Sequence, residues 1–179
     1  MAGINTGVTR MNKRFSLVAV ATLIGGLALG LTMIWRSADN RPITANEDQP
    51  RVVVYKNPQC GCCGEWVKHL QGAGFVVEVH DTQDTNAIRS KLGVPATLGS
   101  CHTATVNGYA IEGHVPASDI QRLLADKTPV AGLAVPGMPE GSPGMEGPHP
   151  HAYDVIAFSA SGSERIFVTH GADGSRKVY

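Results

Sequence analysis

Hydrophobic positions divide the chain into one long apolar run near the N-terminus and a series of shorter segments after it. The run over residues 15–35 carries no charge, and a helix needs about 20 apolar residues to cross the hydrocarbon core of a membrane. More basic residues precede this run than follow it closely, so the positive-inside rule places residues 1–14 in the cytoplasm. We therefore expect one N-terminal transmembrane helix that anchors the chain to the inner membrane and leaves the remainder in the periplasm. A cleaved signal segment, which would give a soluble periplasmic protein, is the alternative.

Strand and helix patterns alternate beyond a polar linker over residues 36–50. The predicted elements follow in chain order: a strand at 51–56, a helix at 65–70, a strand at 75–80, a helix at 84–92, a hairpin of 104–106 and 109–111, and a helix at 116–125. Asn107-Gly108, between the two hairpin strands, is typical of a type I′ turn. This β-α-β-α-β-β-α order favours an α/β domain over residues 51–130.

The C-terminal part of the chain follows a different pattern. Residues 131–152 are rich in glycine and proline, which predicts an irregular segment that we call the wrap. Two β-rich runs then lie on either side of Ser161-Gly162. They predict a C-terminal β-hairpin and tail over residues 153–179.

Charge separates the N-terminal run from the rest of the protein. The 15 basic and 15 acidic residues balance, but residues 1–36 hold four of the basic ones and no acidic one, which leaves a net charge of −4 on the remainder. A nucleic-acid binder would show a basic excess, so we expect no nucleic-acid partner. The 42% of hydrophobic residues is enough for a packed core.

Three of the four cysteines, Cys60, Cys62 and Cys63, lie between the first predicted strand and the first helix. Cys60 and Cys63 have the C-x-x-C spacing of the reactive pair in thioredoxin-like domains, and the positive end of a helix favours their thiolate forms. A thiolate is both a nucleophile and a metal ligand, so the spacing alone leaves redox chemistry and metal binding open. The adjacent Cys62 brings a dithiol enzyme no obvious gain, whereas three sulfurs suit a soft cation such as Cu(I).

Further candidate ligands follow later in the chain. Cys101 and His102 lie in a Gly-Ser-Cys-His-Thr segment, and a thioredoxin-like topology packs this loop beside the first helix. Met138 and Met145 of the wrap carry thioethers that bind Cu(I), with a packing role equally open. His114 either lines the site or ends the hairpin. Exported cysteines with methionine and histidine nearby indicate copper ions more than zinc.

Three other interpretations stay open at this point. Four exported cysteines could form two disulfides. Cys60 and Cys63 could serve a thiol–disulfide oxidoreductase in which Cys62 and Cys101 are dispensable. A structural zinc site would need a closed shell of four ligands.

His149 and His151 are expected on a surface loop.

Five motifs together resemble one known family. They are Tyr55-Lys56-x-Pro58-x-Cys60-Gly-Cys62-Cys63-Gly-x-Trp66, Gly93-Val-Pro95, Ser100-Cys101-His102-Thr103-Ala104, Gly108-Tyr-x-Ile-Glu-Gly-His114-Val-Pro116, and Gly132-Leu-x-Val-Pro-Gly-Met138-Pro-x-Gly-Ser-Pro-Gly-Met145-Glu. This combination resembles the CopG-like copper-resistance family of exported bacterial proteins, long catalogued as a domain of unknown function. The resemblance spans about residues 51–170.

The resemblance implies a thioredoxin-like domain with copper bound by Cys60, Cys62, Cys63 and Cys101. His102 belongs to the same matched motif. A role in periplasmic copper handling is also implied, beside other copper-handling proteins of that compartment. Whether copper is only sequestered or also changes oxidation state stays open, and so does enzymatic activity.

Overall fold

The structure is a computed structural model that describes residues 49–179. In chain order its elements are β1 (Arg51–Lys56), α1 (Gly61–Gly72), β2 (Val76–Asp81), α2 (Thr85–Lys91), a 3-10 turn (Ala96–Leu98), β3 (His102–Val106), β4 (Tyr109–Glu112), α3 (Ala117–Asp126), β5 (Gly132–Ala134), β6 (Tyr153–Phe158), β7 (Glu164–His170) and β8 (Arg176–Val178). The predicted α/β class is confirmed. The first seven strands and helices also follow the predicted order.

All eight strands of this region belong to one sheet, in the order β2-β1-β3-β4-β5-β6-β7-β8. β1 pairs in parallel with β2, as does β4 with β5, and the other neighbours are antiparallel. Val52 and Val54 of β1 are fully buried because alternate residues of a strand point to the same face. Helices α1 and α3 bury Leu70 and Leu123 in the same core cluster.

The sheet departs from the sequence prediction at its C-terminal half. Gly132–Ala134, placed in the irregular wrap by sequence, form β5 and pair with β4 on one side and β6 on the other. A Cβ on Gly132 would collide with the Ala110 carbonyl, so the close approach of β5 to β4 requires glycine there. The expected C-terminal hairpin is present as β6 and β7, but β5 joins it to the sheet and β8 extends it.

Helix α1 begins four residues earlier than the apolar pattern predicted. It starts at Gly61 instead of Glu65, so Cys62 and Cys63 lie in its first turn and Cys60 is its N-cap. The four additional residues, 61–64, are two glycines and two cysteines, and such a segment has no amphipathic pattern for sequence analysis to detect. This shift places the whole cysteine motif on the positive end of the helix.

Within residues 49–179, no helix is both long enough and apolar enough to cross a bilayer. The predicted anchor at 15–35, the segment 1–14 and nearly all of the linker 36–50 lie outside the described residues.

Candidate metal centre

The first turn of α1 carries the cysteine motif. The Asn57 carbonyl accepts a hydrogen bond from the Cys60 amide at 3.0 Å, which turns the chain sharply after β1. The Cys60 sulfur then accepts the Cys63 amide at 3.4 Å and caps the helix. No acidic residue lies in this first turn, so no side chain there offsets the positive end of the helix dipole.

The structure gathers the four sulfur atoms predicted to lie together. Cys60 and Cys63 form a disulfide, and Cys62 and Cys101 are free thiols. The Cys62 sulfur lies 3.5 Å from that of Cys60, and the Cys101 sulfur lies 3.5 Å from that of Cys63. All four lie within 4.8 Å of one another. The alternative of two disulfides is wrong for this structure, because only one is formed.

Two histidine rings lie next to the Cys101 sulfur. His114 Nε2 lies 3.1 Å and His102 Nδ1 3.3 Å from this sulfur, and the three residues form a second group of candidate ligands. His114 Nδ1 lies 2.8 Å from the Pro143 carbonyl. A carbonyl only accepts, so Nδ1 carries the proton and the lone pair of Nε2 faces Cys101.

The neighbouring His102 ring is fully buried against Trp66, with the ring centroids 4.3 Å apart. Its Nε2 atom has no hydrogen-bond partner among the described residues. A buried polar atom without a partner is unusual in a folded protein. The His102 nitrogen that faces Cys101 is Nδ1, so this atom and His114 Nε2 are the two imidazole nitrogens available to a bound ion.

Burial keeps this part of the site uncharged. Desolvation, reinforced by the neighbouring Cys62, raises the pKa of Cys101 to about 12. Desolvation, with His114 as the next contributor, lowers the pKa of His102 to about 3. The pKa of His114 is lowered too, again mainly by desolvation. At neutral pH the site therefore presents one thiol and two neutral imidazoles, and neutral imidazole is the form that binds metals.

The backbone of the wrap contacts the site at two residues. Besides the Pro143 carbonyl, Gly144 packs on the start of α1: a Cβ at this position would lie 2.7 Å from the Cys62 carbonyl oxygen and 2.8 Å from the Trp66 nitrogen. The side chain of Met138 is 53% exposed, and Met145 is half-buried. The ligand role predicted for these two methionines stays a prediction.

The remaining histidines lie elsewhere, in the structural roles that histidines most often have. His69 Nε2 accepts the Ala117 amide at 3.0 Å, His80 pairs with Glu78 and His170 pairs with Asp119. His149 and His151 are exposed, as expected of a surface loop.

Sequence analysis missed Glu112, Arg89 and Pro143. Glu112 is fully buried at the end of β4 and accepts hydrogen bonds from the loop that carries Cys101. A charged residue directly after the apolar strand residues 109–111 was the available signal, because a carboxylate there needs a partner if it is buried. Pro143 acts through its carbonyl, which any residue could supply, so no sequence signal identifies it.

Gly144→Ala is expected to destabilise the protein by about 1–3 kcal/mol more than Gly137→Ala. Both glycines have a positive φ, +81° and +68°, so both substitutions incur the left-handed strain of about 1–2 kcal/mol. Only the Cβ on Gly144 also meets the backbone of α1, since nothing lies within 4 Å of the one on Gly137. Chemical denaturation of both variants measures the difference. Equal losses of unfolding free energy in the two variants would show that the wrap is not packed tightly against α1 at Gly144.

Comparison with known proteins supports the inference drawn from the motifs. A family model described as a protein of unknown function, DUF411, matches residues 98–145, and no curated protein sequence matches. Two solved structures of copper resistance protein CopG are similar. Form 2 is 45% identical with a TM-score of 0.64 and covers 66% of this chain and 96% of its own. Form 1 is 43% identical with a TM-score of 0.66 and covers 69% of this chain and 99% of its own. This chain therefore belongs to the CopG-like copper-resistance family.

Proposed function

We propose that this protein binds copper through Cys60, Cys62, Cys63 and Cys101 and so protects the cell during copper stress. The observation that carries the proposal is the convergence of four sulfur atoms within 4.8 Å. His102 and His114, which both lie next to Cys101, complete the donor set. Membership of a copper-resistance family points to the same ion.

The chemistry of the donors favours copper over zinc. Thiolates select soft cations, with Cu(I) foremost among those available in cells. A structural zinc site closes with four ligands, whereas here two imidazole nitrogens stand beside four sulfurs. Cys101 is common to both donor groups, and a thiolate bridges metals readily. The donor set therefore supports a small cluster with more than one copper ion.

We extend the proposal to a thioredoxin-like unit over residues 51–130. The order of the first seven elements supports this extension, and so does the position of β1 between β2 and β3. The Cys60–Cys63 pair also lies at the N-terminus of the helix that follows β1. In this arrangement the cysteine pair lies at a helix end, with Cys60 half-buried and Cys63 fully buried, and the loop before β3 holds Cys101 beside it.

The Cys60–Cys63 pair can exist as a disulfide or as two reduced cysteines, so the protein itself can accept or release electrons. Reducing the Cys60–Cys63 bond takes two electrons and yields two thiolates. Oxidising two Cu(I) ions to Cu(II) releases two electrons, so the exchange balances with copper as the reductant and the disulfide as the oxidant. The two thiolates formed would be free to bind further Cu(I) ions, and the imidazoles would bind the Cu(II) formed. Copper redox conversion is thus a second part of the proposal.

One specific observation favours a thiol–disulfide oxidoreductase as the second candidate. The disulfide joins the two C-x-x-C cysteines at a helix N-terminus, where a thiolate leaving group is stabilised. This function needs Cys60 and Cys63 alone. It predicts turnover of a disulfide substrate without metal, and full activity when Cys62 or Cys101 is replaced.

The location of the protein belongs to the proposal as well. The apolar run at 15–35 supports export with a retained anchor in the inner membrane, and a cleaved signal would instead release the domain. In either case the site would work in the periplasm, where unprotected thiols oxidise. Other copper-handling proteins of that compartment would be its partners.

Titration of the reduced full chain with Cu(I), in detergent and without oxygen, tests the proposed function. We expect more than one tightly bound copper per chain, with the reactivity of the four thiols lost as copper binds. Cys62→Ser should reduce the copper stoichiometry. Absence of tight copper, together with a reversible Cys60–Cys63 disulfide, would favour the oxidoreductase. Full stoichiometry in Cys62→Ser would contradict the cysteine cluster.

Copper affinity is expected to rise by at least about tenfold per pH unit between pH 6 and pH 8. The Cys101 thiol is protonated throughout this range, because its pKa is about 12, so a metal must displace one proton to bind there. His102 adds no proton competition, because its pKa of about 3 leaves it neutral at these pH values. Competition with a Cu(I) chelator at three pH values measures the slope. A flat profile would show that Cys101 is not a ligand.

A further inference from the structure

A buried ion pair lies directly behind the loop that carries Cys101. Arg89 Nε of α2 donates to Glu112 Oε1 of β4 at 2.8 Å, with the side chains 12% and 0% exposed. Neither residue belongs to the candidate ligands. Burying two charges costs several kcal/mol in desolvation, so such a pair is weak support for stability and calls for another role.

Both charged groups hold the backbone of Ser100, the residue before Cys101. The Ser100 amide donates to Glu112 Oε1 at 2.7 Å, and the Ser100 carbonyl accepts from Arg89 Nη2 at 2.6 Å. This carbonyl belongs to the peptide group that joins Ser100 to Cys101. The pair therefore fixes the orientation in which the chain enters the cysteine.

Cys101 itself needs an external restraint. It lies in a bend between the 3-10 turn and β3, outside the regular elements. The loop is packed tightly around it: a Cβ on Gly99 would lie 3.2 Å from Arg89 Nη1, and a Cβ on Gly113 would collide with the Ser100 side chain. The other Glu112 oxygen accepts from Thr103 Oγ1, which secures the start of β3.

We propose that Arg89 and Glu112 are positioning residues. They hold the Cys101 sulfur 3.5 Å from the Cys63 sulfur and 3.1 Å from His114 Nε2. The conclusion that this positioning serves copper binding rests on the proposed function. The positioning does not, because the sulfur-to-sulfur distance of 3.5 Å exists without metal. Lysine at position 89 would keep the charge but lose the planar fork that reaches Glu112 and the Ser100 carbonyl together.

Thiol chemistry measures this positioning without copper. In a full chain with Cys60→Ser and Cys62→Ser, the two remaining thiols, Cys63 and Cys101, pair with each other or with glutathione. Equilibrium with a glutathione redox buffer gives the effective concentration of one thiol at the other. We expect Arg89→Lys to lower it by about tenfold or more, and Glu112→Gln to lower it less, because the amide oxygen still accepts from the Ser100 amide.

Arg176→Lys is the matched control. Arg176 donates to Asp119, another fully buried carboxylate, away from the cysteines. Chemical denaturation of every variant shows that it is folded and measures its stability. Arg176→Lys should leave the effective concentration unchanged even where it costs stability. If Arg89→Lys and Glu112→Gln both keep the effective concentration within a factor of two, the positioning role is overturned.

Measurement of copper binding by the chain that keeps all four cysteines completes the test. We expect Arg89→Lys to lower the Cu(I) affinity by about tenfold or more at unchanged stoichiometry. If the chain without substitutions binds no Cu(I), the proposed function fails, while the glutathione equilibrium still decides the positioning role. A lowered effective concentration with unchanged copper affinity would overturn the link between positioning and copper capture.

Discussion

Cys101→Ser is expected to lower the Cu(I) affinity of the reduced protein by about 100-fold or more, beyond the loss expected for a residue that only supports a ligand. Cys101 is the only cysteine among the described residues that belongs to both candidate ligand groups, the four sulfurs and the Cys-His-His set. Its loss would therefore separate the two groups. Competition with a Cu(I) chelator under anaerobic conditions measures the change.

Cys62→Ser is the matched control for this substitution. Cys62 is also a free thiol, half-buried like Cys101, but it belongs to the sulfur group alone. Its replacement should remove part of the bound copper and leave the histidine side intact. An equal or larger loss of affinity in Cys62→Ser would contradict the view that Cys101 links the two groups.

Trp66→Ala is expected to lower the free energy of unfolding by about 3–5 kcal/mol. Trp66 is the largest fully buried side chain of the described region and lies in the main core cluster. Its Nε1 also donates to the Val115 carbonyl at 2.9 Å, and its ring supports that of His102. Denaturant unfolding of the reduced, copper-free protein measures the loss.

Trp66→Phe separates the two contributions of this side chain. Phenylalanine keeps most of the aromatic packing but leaves the buried Val115 carbonyl without its donor, which costs about 1–3 kcal/mol. A loss in Trp66→Phe as large as that in Trp66→Ala would show that the hydrogen bond, and not the packing, dominates. A loss below 1 kcal/mol in Trp66→Ala would contradict the core assignment.

The geometry gives the wrap a definite part in the site. Its Pro143 carbonyl fixes the protonated nitrogen of His114, and Gly144 lies against the first turn of α1. In metal sites a backbone carbonyl commonly orients a histidine ligand in this way, so the contact fits the role proposed for His114. The C-terminal half of the sheet, through β5 and β6, holds both ends of this segment.

Local features were predictable from the sequence because they depend on neighbouring residues. The C-x-x-C spacing places Cys60 and Cys63 together whatever the rest of the fold does, since residues three apart are adjacent at a helix N-terminus. The Asn107-Gly108 turn follows the same logic: both residues have positive φ, 46° and 86°, as a type I′ turn requires. The sequence alone determined these elements, the α/β class and the family.

The tertiary structure decided what the sequence left open. Cys101 reaches Cys63 across 38 residues of chain, and Pro143 reaches His114 across 29. Such pairs form only when helices and strands have packed, because no local propensity or spacing relates residues so far apart. The same holds for the ion pair of Arg89 and Glu112 and for the joining of β5 to the sheet. The sequence supplied the candidate ligand types, and the packing of α1, the Cys101 loop and the wrap set their distances and protonation.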